Sequence, residues 1–95
     1  MKCAAAALRR SLAIRNRRGL HARASAKFVE TVERFDAKAF VSRDGMRVDG
    51  RSIMGLLMLA AAQGSAIDVE TSGPEAAALM DALESLVSNL FGEDA

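Results

Sequence analysis

The chain has 95 residues, 51% hydrophobic and 26% charged, with a formal net charge of +1. That length bounds a single domain with one core, and the balance of apolar and charged residues excludes a largely disordered chain. A lone cysteine, Cys3, excludes an internal disulfide, and a lone histidine, His21, leaves no cluster of soft ligands for a structural zinc, so neither metal nor cofactor is expected.

A reducing, cytoplasmic setting is expected. The apolar leader at residues 1–8 is too short for a secretory core and runs into Arg9-Arg10, and no apolar stretch reaches membrane length. The net charge conceals an asymmetry: residues 1–51 hold 13 Lys and Arg against 5 Asp and Glu, or +8, whereas residues 52–95 hold no base and 7 acids, or −7. Basic residues scattered among apolar ones, without Trp or Tyr for stacking on bases, argue against a nucleic-acid partner and for an acidic or phosphorylated protein.

In chain order, residues 11–15 alternate apolar and polar as a half-buried strand does, with Leu12 and Ile14 inward. His21 follows in the run Asn16-Arg17-Arg18-Gly19-Leu20-His21-Ala22-Arg23, where strand hands over to helix. From Ala22 to about Phe35 apolar residues recur at helical spacing, while Lys27, Glu30 and Glu33 mark a wet face. Residues 38–43 and 46–49 flank Asp44-Gly45, a dipeptide that tolerates the positive φ of a tight turn, which predicts an antiparallel hairpin. Ser52 opens a second helix over residues 53–62, with Gln63-Gly64 as its left-handed stop.

Residues 65–71 alternate again, with Ile67 and Val69 on one face and Asp68 and Glu70 on the other. Ser72-Gly73-Pro74-Glu75 starts a third helix whose core stripe is Leu79, Leu83, Leu86, Val87 and Leu90, and the tail from Gly92 is expected to fray. The order predicts one α+β domain, a sheet with helices packed on one face.

The junction before the first helix is a natural phosphate site. Helix N-termini present unpaired N–H groups and a partial positive charge, so the imidazole of His21 stands as a nucleophile beside an anion cradle. Gly19 permits close backbone approach, Arg23 offers a fork suited to phosphate oxygens, and Arg17 and Arg18 add charge. The second helix has no polar face. With Leu56, Leu59 and Ala60 toward the sheet, Ile53, Met54 and Leu57 form an outer apolar patch fit for a partner. Ser52 reads first as a helix cap, and as a switch second, because phosphate is tolerated at a helix start.

These residues carry a family resemblance. The stretch from Asn16 to Arg23 with Ala26-Lys27-Phe28-Val29, and the block Arg51-Ser52-Ile53-Met54-Gly55-Leu56, resemble the HPr family, the histidine-containing phosphocarriers of the bacterial phosphoenolpyruvate-dependent phosphotransferase system. The resemblance covers residues 10–91 and leaves a flexible extension at 1–9 and a tail at 92–95. It implies an open-faced β-sandwich of order βαββαβα, with a four-stranded antiparallel sheet and three helices on one face. It further implies a monomeric carrier rather than an enzyme, in which His21 takes a phosphoryl group on Nδ1 from phosphorylated Enzyme I and passes it to an Enzyme IIA protein.

On the same resemblance Arg23 helps to hold the phosphate, Ser52 is the serine modified by HPr kinase/phosphorylase in many bacteria, and Ile53, Met54 and Leu57 dock the partners. Two departures stand out. Ala24 occupies the place where the family commonly has proline, which adds an N–H to the first helical turn, and residues 1–9 extend the chain ahead of the matched part. The run Ala24-Ser25-Ala26-Lys27 is similar to versions from a regulatory, nitrogen-related branch. A regulatory docking module that works through the Ser52 helix without a phosphoryl relay is the alternative. A general-base enzyme built on His21 lacks a second acid, a nucleophile or a metal set.

Overall fold

The computed structural model describes residues 7–94; residues 1–6, which include Cys3 and most of the expected extension, and Ala95 lie outside the described residues. Four strands, β1 (Leu8–Ala13), β2 (Lys38–Arg43), β3 (Met46–Asp49) and β4 (Ala66–Ser72), form an antiparallel sheet in the order β1-β4-β2-β3. Three helices, α1 (Ala22–Glu33), α2 (Ile53–Met58) and α3 (Ala76–Ser88), complete the βαββαβα order. The architecture is the expected open-faced sandwich.

The strands form for the reason their alternation predicts. In β4, Ile67, Val69 and Thr71 are buried while Ala66 and Asp68 are exposed, and in β2 Ala39 and Val41 are buried. Their partners in register, Leu12 opposite Ile67 and Val41 opposite Val69, put one apolar face against α1 and α3. Phe28 and Val32 of α1 and Leu79 and Leu83 of α3 close the core from above. On the other face the Arg47 guanidinium stacks over the Phe40 ring at 4.1 Å, covering a half-buried aromatic at the surface. Asp44 and Gly45 turn the β2–β3 hairpin with φ of 51° and 84°, as the dipeptide predicts.

Several boundaries differ from expectation. β1 begins at Leu8 rather than Ser11, so Leu8 and Arg9 belong to the sheet. Arg10 obscured this, because it occupies an inward position between Leu8 and Leu12. Its guanidinium is accommodated at the sheet edge by Asp81 at 3.0 Å and Glu84 at 2.5 Å on α3. α2 ends at Met58 rather than continuing to Ala62.

The physical reason is competition for backbone partners. Ala60 turns left-handed at φ 52°, which lets the Ala61 carbonyl accept from Leu20 N–H at 2.8 Å, while Arg43 Nη1 donates to the Leu59 carbonyl at 3.0 Å. Leu56 and Leu59 face inward as expected, but Ala60 is exposed. In α3, Leu79, Leu83 and Val87 are buried and Leu86 half-buried, and beyond the helix Leu90 is half-buried and Phe91 fully buried.

Past α3 the described chain stays packed through Glu93. A 3-10 turn, Leu90–Gly92, follows α3 with all three residues at positive φ (59°, 54° and 78°), a conformation that costs a side-chain-bearing residue about 1–2 kcal/mol. Burial of the Phe91 ring, about 1.5–3 kcal/mol for such a side chain, and a 2.6 Å hydrogen bond from Lys27 Nζ to the Phe91 carbonyl hold it. The turn sends Glu93 back to the start of α1.

Candidate functional site

The site begins with the loop between β1 and α1. Gly19 sits at φ 66°, and a Cβ there would lie 2.4 Å from the Ala61 carbonyl oxygen, so the loop can press against the segment after α2 only with glycine in this place. The same Ala61 carbonyl accepts from Leu20 N–H, and Leu20 is buried. Asn16, fully buried, ties the loop from inside: its Nδ2 donates to the Gly19 carbonyl at 2.8 Å and to Glu93 Oε1 at 3.0 Å. Its Oδ1 has no partner among the described residues.

This loop delivers His21 to the N-cap of α1. The backbone is extended there (φ −79°, ψ −176°), and the His21 carbonyl accepts the first helical bond from Ser25 N–H at 2.8 Å. The ring supplies the side-chain cap, Nδ1 accepting from Arg23 N–H at 3.3 Å. Nε2 pairs with Glu93 Oε2. An amide N–H only donates and an ionised carboxylate only accepts, so these two contacts define one tautomer, with the lone pair on Nδ1 and the proton on Nε2.

Burial works against the charge on Glu93, but hydrogen bonds from His21 and Asn16 and the charge of Arg18 outweigh it and hold the carboxyl below the ordinary glutamate range. Beside the ring lies a cavity of about 490 Å³ lined by Arg17, Arg18, Arg23, Lys27, Gly92, Glu93 and Asp94. Among the described residues the guanidinium groups of Arg17, Arg18 and Arg23 make no ion pair. His21 itself lines a smaller neighbouring cavity with Arg18, Leu20, Ala60, Ala61 and Ala62, and meets the cationic one through Glu93. A ring nitrogen with a free lone pair at a helix N-terminus, next to a cavity of uncommitted guanidinium groups, is suited to receive a dianion such as a phosphoryl group. Ala24 is fully buried in the first turn. Among the described residues no group of His, Cys, Asp and Glu could hold a metal ion, and no helix is long and apolar enough to cross a membrane.

Ser52 lies elsewhere, at the N-cap of α2, where its Oγ accepts from Gly55 N–H at 2.9 Å. The turn before it is fixed by Asp49, whose carboxylate accepts from Arg51 N–H at 2.8 Å. That bond foremost, against partial burial and with help from the Arg51 guanidinium, keeps Asp49 ionised below its usual range. α2 packs so closely on β3 that a Cβ at Gly55 would lie 2.9 Å from Val48 Cβ. Of the expected patch, Ile53 (40%) and Met54 (69%) are exposed and Leu57 is half-buried, and Met58 (63%) and Met46 (40%) extend the apolar surface.

Sequence reasoning missed Met58, although its i,i+4 spacing from Met54 signals a shared face. It also missed Asn16 and Glu93. Their contact spans most of the chain and carries no local signal.

Comparison with known proteins agrees with this geometry. A family model described as "PTS HPr component phosphorylation site" matches residues 8–89. The phosphocarrier protein HPr of Neisseria meningitidis serogroup A is 49% identical over 86 residues, 90% of this chain and 97% of that protein, and the phosphocarrier protein HPr of Cupriavidus necator matches with the same identity and coverage. A crystal structure of HPr-C-His from Thermoanaerobacter tengcongensis superposes with a TM-score of 0.88 at 33% identity, covering 93% of this chain and 99% of that one. Fold and site together define a small phosphocarrier domain. The chain belongs to the HPr family of the phosphotransferase system.

Proposed function

We propose that the chain relays a phosphoryl group through His21 Nδ1, accepting it from phosphorylated Enzyme I and donating it to an Enzyme IIA protein, as a cytoplasmic monomer. The observation that carries this reading is the His21 ring at the N-cap of α1, its Nδ1 turned to the first-turn N–H of Arg23 beside the cationic cavity. Phosphoryl transfer has a loose transition state that is helped mainly by alignment and by positive charge on the equatorial oxygens. The α1 N-terminus aligns, and the Arg23 guanidinium supplies charge that no carboxylate among the described residues ties up. The rest of the machinery comes with each partner, which makes the chain a carrier rather than an enzyme.

Ile53, Met54 and Leu57 seat the partners in this reading, joined by Met58. Ser52 is the second modification site, open to HPr kinase/phosphorylase; a phosphate there adds negative charge beside the docking patch and weakens Enzyme I binding. The test is labelling with Enzyme I and labelled phosphoenolpyruvate. One acid-labile, base-stable phosphoryl group on His21, transferable to Enzyme IIA, is expected. A label that survives His21→Ala, or no label on the unmutated chain, overturns the relay.

A further inference from the structure

We propose that Glu93 is a positioning residue for His21: its carboxylate keeps the proton on Nε2, so that Nδ1 accepts the phosphoryl group through its lone pair and later departs as a neutral imidazole. The inference rests on the carrier reading above.

The contact is built rather than incidental. Both carboxylate oxygens are engaged, Oε2 by His21 Nε2 and Oε1 by Asn16 Nδ2 at 3.0 Å, and Asn16 is fully buried and anchored to the Gly19 carbonyl of the same loop. The side chains of His21 and Glu93 are only 22% and 15% exposed, so water competes weakly for the pair. The chain reaches this position through left-handed Leu90 and Phe91, a conformation that persists only where surrounding contacts over-determine it. The Phe91 ring in the core and the Lys27 bond to its carbonyl do so.

Chemistry supplies the reason for a carboxylate here. As the Nδ1–P bond forms, the bond from phosphorus to the donor breaks and its electron pair stays with the donor. No proton leaves Nδ1, because none is there. The ring, substituted at both nitrogens, then carries positive charge that Arg17, Arg18, Arg23 and Lys27 around the cavity disfavour; Asp94, exposed on the cavity wall, offsets them less than Glu93 does.

Glu93 is the counter-charge held at Nε2 of the ring. On release the acceptor's nucleophile bonds to phosphorus, the Nδ1–P bond breaks, and its pair returns to Nδ1 while the proton stays on Nε2. A ring that had lost that proton would have to leave as imidazolate, a far poorer leaving group.

The experiment uses the full chain labelled with ¹⁵N, phosphorylated in parallel by phosphoramidate and by Enzyme I with phosphoenolpyruvate, and compares it with Glu93→Gln and Glu93→Ala. Thermal unfolding monitors the fold of each. In the unmodified chain the ring nitrogens should show Nε2 protonated and Nδ1 bare. In Glu93→Gln, whose amide can donate as well as accept, and in Glu93→Ala, the two tautomers mix. The pH profile of phosphoryl release should move about one unit toward acid, slowing release on its alkaline limb about tenfold.

Unchanged tautomer and unchanged pH profile in both folded variants overturn the inference. A chain that takes the group from phosphoramidate but not from Enzyme I defeats the carrier reading alone, and the Glu93 comparison is then decided on the chemically phosphorylated protein.

Discussion

A single glycine sets how close the His21 loop can come to the segment after α2. Any side chain at position 19 meets the Ala61 carbonyl and needs a left-handed backbone besides. Gly19→Ala is therefore expected to destabilise by more than about 1 kcal/mol, read by denaturant unfolding, and to expose the Leu20 amide to exchange. Glu93 gives the loop its second tie, and its lowered pKa fixes the direction of a pH effect. A carboxyl held below its unfolded value contributes stability that is fully present above the ordinary glutamate range, about pH 4, and that is lost as pH falls through the folded value. His21, Asn16 and Arg18 act on this carboxylate directly, and Arg17, Arg23, Lys27 and Asp94 surround it. Protection of the position-93 amide, whose N–H bonds the Leu90 carbonyl, should fall relative to its intrinsic exchange rate in acid below that range, and this fall should be absent in Glu93→Gln.

Among the elements, α2 carries three of the four large apolar side chains exposed among the described residues. Only six residues long, it buries Leu56 and leaves Met54 and Met58 in solvent, so its stability leans on its cap and on β3. Ser52→Ala should cost about 0.5–2 kcal/mol in unfolding experiments while leaving His21 able to take a phosphoryl group. Met54→Asp and Met58→Asp should leave stability within about 0.5 kcal/mol, since both side chains are largely solvated, yet weaken Enzyme I binding by about 1 kcal/mol or more, seen as a raised KM in the labelling reaction. The β2–β3 hairpin was legible residue for residue, because Asp44-Gly45 and the flanking alternation act locally. The end of α2 was not, because an apolar run gives no stop signal and the stop comes from the Ala61–Leu20 bond between distant segments.

For the molecule as a whole, the basic first half and acidic second half meet across the fold: Arg10 reaches Asp81 and Glu84, Arg47 reaches Glu70, and His21 reaches Glu93. Folding consumes part of the asymmetry and concentrates what is left around one cavity. His21 and Arg23 could be singled out from sequence because both lie within one strand-to-helix run. The carboxylate opposite them could not, because it depends on a left-handed turn over Leu and Phe that propensity disfavours and only tertiary packing selects. Sheet order, the segment after α2 and the tail thus converge on the His21 loop. The most direct measurement is ³¹P and ¹⁵N NMR of the full chain after phosphorylation by Enzyme I and phosphoenolpyruvate. The predicted result is a single phosphoramidate on Nδ1 of His21 with the proton on Nε2; phosphorus on Nε2, or on any residue other than His21, would contradict the account.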